Sequence, residues 1–145
     1  MRAASAMTTD VEYVSPDETL RQAARMMDEL NVGALPVCDG SKLIGILTDR
    51  DITVRATSAG QLPEETTVAE AMTTDVKWCL EDDPIEEVMA AMADSQIRRM
   101  PVIDRDRRLV GIVSLGDLAT RQSGHVDDTL REISSPSEPD RSIAA

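Results

Sequence analysis

Ala6-Met7-Thr8-Thr9-Asp10-Val11 stands directly over Ala71-Met72-Thr73-Thr74-Asp75-Val76, a displacement of 65 residues with six identities in a row. Self-similarity at a fixed offset is the mark of a repeated structural unit. The same displacement carries Tyr13 to Trp78, Asp17 to Asp82, Met27 to Met92 and Pro36-Val37 to Pro101-Val102. One extra residue in the second copy's turn then moves the displacement to 66, aligning Leu43, Gly45, Ile46 and Asp51 with Leu109, Gly111, Ile112 and Asp117. The two halves share one architecture.

Within each copy the hydrophobic period changes in the same order. Leu20, Ala23, Ala24, Met27 and Leu30 recur at helical spacing, as do Ile85, Val88, Met89 and Met92. Asp83, Pro84, Glu86 and Glu87 together read as a helix start: a capping side chain, a proline at the first helical position and anions at the positive end of the dipole. Each helix precedes two strands, Leu35 to Cys38 with Leu43 to Leu47, and Met100 to Ile103 with Leu109 to Val113. Polar turns join them into hairpins. A second helix begins near Thr48 or Ser114, the first of these ending around Gly60. With an extended piece at Tyr13 or Trp78, the order is β-α-β-β-α, twice. The resulting division is repeat 1 over 1–60, a polar linker at 61–66, repeat 2 over 67–122, a helical segment at 123–134 and a disordered tail at 135–145. Thr67 with Glu70 resembles a capping box opening a short helix. A copy of about fifty residues has too small a core to be secure alone, so the repeats should pack together.

Composition narrows the possible functions. In 145 residues, 41% are apolar, yet there is no Phe, and Tyr13 and Trp78 are the only aromatics, so the core must be aliphatic and rich in methionine. Fifteen basic against twenty-seven acidic residues give a net charge of −12, which repels phosphate backbones and anionic lipids. Neither nucleic acid nor membrane is an expected partner. Cys38 and Cys79 lie in apolar stretches without CxxC spacing, and His125 is the one histidine, so neither a zinc site nor a disulfide scaffold is expected. The Met-rich helical faces read as core or dimer seam. The opening MRAASAM has no signal-peptide core and no apolar run approaches the roughly 20 residues of a membrane span, so a cytoplasmic location is expected.

The repeated β-α-β-β-α order, the strand starts Leu35-Pro36-Val37 and Met100-Pro101-Val102, and the segments Gly45-Ile-Leu-Thr48-Asp-Arg-Asp51 and Gly111-Ile-Val-Ser114-Leu-Gly-Asp117 resemble the cystathionine β-synthase (CBS) domain family over residues 6 to 121. The resemblance implies an α/β (α+β) fold, two repeats packed with pseudo-twofold symmetry into a stand-alone Bateman module, and association into a homodimer. It further implies a regulatory role in place of catalysis, with an adenosine-containing ligand in clefts between the repeats: AMP, ADP or ATP before S-adenosylmethionine or NAD(H). No cofactor is required, and output passes to an effector protein. In the family the motif Asp accepts from ribose hydroxyls and the Ser or Thr lies by the phosphates, which suits a carboxylate acceptor and a hydroxyl at a helix start.

The candidate site residues are Thr48, Asp51, Ser114, Asp117, Arg98, Arg99, Gly33 and Ala34. Local helix capping accounts equally for the Thr48-x-x-Asp51 and Ser114-x-x-Asp117 spacings. Arg98 and Arg99, where the first copy has Gly33 and Ala34, either grip phosphate or pair with neighbouring carboxylates. Gly33 and Ala34 leave room for a base or ribose, or Gly33 ends the preceding helix. Asp49 beside the first motif, even with Arg50 to offset it, makes the Ser114 and Asp117 corner the better host for a phosphorylated ligand. A ligand-free dimeric adaptor is the alternative. No nucleophile-base pair, metal constellation or phosphate-transfer loop is legible.

Overall fold

The computed structural model describes residues 1–121. The elements run α1 (Ala3–Ala6), α2 (Leu20–Leu30), β1 (Ala34–Asp39), β2 (Lys42–Thr48), α3 (Asp49–Asp51), a π-helical segment (Ile52–Thr57), α4 (Val68–Ala71), β3 (Cys79–Leu80), α5 (Ile85–Ser95), β4 (Arg99–Ile103), β5 (Leu109–Ser114) and α6 (Leu115–Arg121). The fold is α+β with small sheets. The helical segment expected at 123–134, His125 within it and the tail at 135–145 lie outside the described residues.

Two compact units divide the chain, and they do not follow the sequence repeats. Of the described residues, one comprises Met1–Val11 with 77–121; the other comprises Glu12–Val76. Each Ala-Met-Thr-Thr-Asp-Val segment therefore sits in the unit built by the opposite copy. Thr8 and Ile112 exchange backbone hydrogen bonds at 2.8 and 3.0 Å, and Thr73 and Ile46 do so at 2.8 and 2.9 Å.

In the 12–76 unit, Thr19 opens α2 with a full capping box: its hydroxyl accepts from the Gln22 N–H at 3.2 Å, and the Gln22 side chain accepts from the Thr19 N–H at 2.8 Å. Leu20, Ala23 and Met27 are buried, whereas Ala24 is exposed and Leu30 is 43% exposed, so the apolar face of α2 is narrower than its spacing suggested. The helix ends at Asn31 in the left-handed region, φ 56°. β1 and β2 pair antiparallel from Ala34↔Thr48 to Asp39↔Lys42, with a bulge at Val37/Cys38, and the turn uses Gly40 at φ 66°. Val14 adds a parallel bridge to Val37. Pro36 is tolerated because the Val14 bridge uses its carbonyl and the Cys38 N–H, asking no donor of the proline. The linker is ordered: Leu20 N–H donates to the Thr66 carbonyl, and Thr66 is buried with its hydroxyl on the Leu62 carbonyl. Glu70 accepts from the Thr67 N–H at 2.7 Å, opening α4 as expected.

The other unit repeats the plan. β3 lies parallel to β4, and β4 pairs antiparallel with β5 from Arg99↔Ser114 to Ile103↔Leu109. Ile85, Val88, Met89 and Met92 of α5 are all buried, together with Ala3 and Ala6 of α1. α5 ends at Gln96, φ 53°, the counterpart of Asn31. Its start differs from the sequence reading: Pro84 occupies the capping position, and the Asp83 carboxylate instead accepts from the Leu80 N–H at 2.9 Å. A proline at the cap supplies no acceptor, so Asp83 closes the preceding turn. The β4–β5 turn is held by Asp104, which accepts from the backbone N–H groups of Asp106 and Arg108. Those bonds, the Arg108 N–H foremost, and the adjacent guanidinium hold the Asp104 carboxyl below its usual range.

Candidate functional site

The two G-x-x-[ST]-x-x-D segments fold into matching corners where a strand runs into a helix. In the 12–76 unit, the Thr48 hydroxyl accepts from the Asp51 N–H at 3.0 Å and the Asp51 carboxylate accepts from the Thr48 N–H at 3.0 Å. Ser114 and Asp117 do the same at 3.2 and 3.3 Å. The capping role is thus present at both corners. The capping bond uses one oxygen of each carboxylate, Oδ2 of Asp51 and Oδ2 of Asp117.

The structure groups the candidate residues by unit. Gly33 lies against the first corner through its carbonyl, which accepts from the Asp49 N–H at 2.9 Å, and Ala34 is the cross-strand partner of Thr48. Arg98 and Arg99 stand in the same relation to the second: the Arg98 carbonyl accepts from the Leu115 N–H at 3.0 Å, and Arg99 is the partner of Ser114. Arg98 is exposed and Arg99 half-buried. Among the described residues neither makes an ion pair; those that do are Arg55, Arg105 and Arg108. Nor does Arg50 pair with Asp49.

Three participants escaped the sequence reading. The Thr73 hydroxyl lies 3.3 Å from both Asp51 carboxylate oxygens, and the Thr8 hydroxyl lies 3.4 Å from Asp117 Oδ2. Arg55 Nε lies 3.7 Å from Asp51 Oδ1, while its Nη1 donates to the Met72 carbonyl at 3.2 Å. The available signal was the repeat itself, since Thr8 and Thr73 occupy one position of the duplicated hexapeptide. An arginine also follows each motif aspartate by four residues, Arg55 and Arg121. The motif glycines have a packing reason. A Cβ on Gly111 would meet Met7 Sδ at 2.5 Å and the Thr8 carbonyl oxygen at 2.9 Å; on Gly45 it would meet Met72 Sδ and the Thr73 carbonyl oxygen, both at 2.9 Å. Only glycine lets the hexapeptide lie this close.

The duplicated corner is matched by a family model. The CBS domain model covers residues 3–56 and 64–124. The chain belongs to the CBS domain family. Its CBS repeats are 46% identical over 116 residues to the Bacillus subtilis CBS domain-containing protein YhcV, covering 80% of this chain and 81% of that one. They are 39% identical over 120 residues to Hypoxic response protein 1 of Mycobacterium tuberculosis, covering 82% and 83%. A crystal structure of Hypoxic Response Protein I with two coordinated zinc ions superposes with a TM-score of 0.75 at 38% identity, covering 83% of this chain and 98% of that one. CBSX2 in complex with AMP shares the fold, with a TM-score of 0.71 at 22% identity and coverage of 87% and 98%.

The CBS repeats here hold no group of three or more His, Cys, Asp or Glu suited to a metal among the described residues. Cys38 and Cys79 are free, buried and in separate units. Burial pushes the Cys38 thiol up to about 11, and burial with the nearby Asp83 charge pushes Cys79 up to about 12. No helix among the described residues is long and apolar enough to cross a membrane.

Proposed function

We propose that this CBS module is a non-catalytic sensor of adenosine phosphates, with the Ser114–Asp117 corner as its principal binding site. One observation carries the reading: Arg98 and Arg99, without carboxylate partners among the described residues of a chain of net charge −12, are joined to that corner through the Leu115–Arg98 hydrogen bond and the Arg99↔Ser114 register. Guanidinium groups left free of acids on so acidic a surface suit phosphate, and the Asp117 carboxylate beside them suits a ribose diol. Gly33 and Ala34 supply no counterpart of those two arginines at the Thr48–Asp51 corner, where Arg55 is already engaged with Asp51 and the Met72 carbonyl, so that corner suits a less charged ligand, or none. A cytoplasmic setting agrees with the two free thiols. Two modules pair in this reading as a homodimer, and an effector protein takes the output.

Titration calorimetry with AMP, ADP, ATP, S-adenosylmethionine and NADH tests the proposal, AMP first because CBSX2 carries it on this fold. Binding that weakens at least tenfold in Arg98→Ala/Arg99→Ala, with adenosine itself unaffected, supports the assignment. Binding indifferent to both arginines refutes it. A ligand-free adaptor is favoured by a different observation: Tyr13 and Trp78, the only aromatics, stand at equivalent repeat positions and are 42% and 41% exposed. The absence of any nucleotide binding, with a partner protein lost on Tyr13→Ser/Trp78→Ser, would select that reading.

A further inference from the structure

The chain crosses between its two units at Val11–Glu12 and at Val76–Lys77. Three residues before each crossing stands a threonine whose hydroxyl reaches the motif carboxylate of the unit being left: Thr8 to Asp117 and Thr73 to Asp51. The same two residues are pinned by their backbone to the motif-bearing strands, at Ile112 and Ile46. In the 12–76 unit a second tie runs from Asp51 through Arg55 to the Met72 carbonyl. Each motif carboxylate is therefore linked directly to a crossing segment. The threonine contacts, at 3.3 to 3.4 Å, are long for O–H···O bonds, and the backbone N–H bonds that cap Asp51 and Asp117 belong to the corner itself. A hydroxyl brought in from another segment rotates away more readily than a backbone N–H fixed by the turn, so the threonine is a donor that a competing diol can replace.

We propose that Thr8 and Thr73 are release catches. A ligand diol that takes the motif carboxylate displaces the threonine hydroxyl and loosens the segment leading into the other unit, so occupancy at one motif is felt where the chain enters its neighbour. This rests on the adenosine-ligand reading above and adds the route of its signal. The two threonines are positioning residues that act through Asp117 and Asp51.

Amide hydrogen exchange on the full chain tests it, with AMP as the probe and Thr8→Val, Thr73→Val and the corresponding Ser variants. Without nucleotide, Thr73→Val should speed exchange at Thr73 and Ile46 several-fold, Thr8→Val should do so at Thr8 and Ile112, and the Ser variants should match wild type. AMP should speed the same amides in wild type, add nothing in the Val variants, and bind them about two- to tenfold more tightly. AMP that binds wild type yet leaves these amides unchanged overturns the release. Val variants that exchange like wild type overturn the catch. AMP that fails to bind wild type removes the ligand reading and diol release together, and the Val-against-Ser contrast shows whether the hydroxyl holds the crossing in its own right.

Discussion

Asp51 and Asp117 each cap a helix, and the proposed function gives their charge a second role toward the ligand; the two roles separate under substitution. Asp117→Asn keeps an oxygen for the Ser114 N–H and the Thr8 hydroxyl but loses the charge. AMP affinity should then fall about tenfold to a hundredfold by calorimetry, with melting shifted by no more than the equivalent of about 1 kcal/mol. Unchanged affinity would assign Asp117 to capping alone. The buried thiols make a different prediction. Their folded pKa values, about 11 and 12, lie above the ordinary 9.0, so the unfolded chain loses these protons first. Stability should be unaffected by the thiols below pH 9, then fall by about 1.4 kcal/mol per pH unit for each thiol, until about pH 11 for Cys38 and about pH 12 for Cys79. Denaturant titrations between pH 8 and 11 read this slope, which Cys38→Ala and Cys79→Ala should each flatten.

At the scale of elements, α2 and α5 both end on a left-handed residue that is not glycine, Asn31 and Gln96. Asparagine adopts that conformation readily and glutamine does not. Gln96→Gly should therefore raise stability by about 1 kcal/mol, more than Asn31→Gly, when both are compared by denaturant midpoint. Gly111 acts in the opposite sense. A methyl there meets a backbone oxygen as well as the Met7 side chain, so Gly111→Ala should cost about 1 to 3 kcal/mol, seen as a lower melting temperature. A neutral result would mean that the Met7–Thr8 segment is free to lift from β5.

For the whole molecule, the exchange of leading segments decides where damage appears. Ala3 and Ala6 are fully buried in the core built by α5, β4 and β5, and the Met1 carbonyl accepts from the Ile85 N–H at 2.9 Å. Deleting residues 1–11 should speed hydrogen exchange across 79–118, in the second repeat, and leave α2 and the β1–β2 hairpin close to wild type. Damage confined to the first repeat would contradict the division of the chain. Sedimentation of the intact protein should give about twice the 15.8 kDa chain mass if the proposed homodimer forms.

Local rules determined much of this from sequence alone. The duplicated hexapeptide, the Pro-Val strand starts and the change from helical to alternating period depend on short-range periodicity and chain chemistry. They placed both hairpins, α2, α5 and the two motif corners, and they paired Arg98 and Arg99 with Gly33 and Ala34. The tertiary structure decided which unit each hexapeptide joins, because that choice rests on backbone pairing between residues about a hundred positions apart for Thr8 with Ile112, and on a glycine surface shaped for a methionine from the other copy. It also decided that Thr8, Thr73 and Arg55 converge on the motif carboxylates. Spacing along a chain carries no information about a hydrogen bond that forms only when two distant segments are packed.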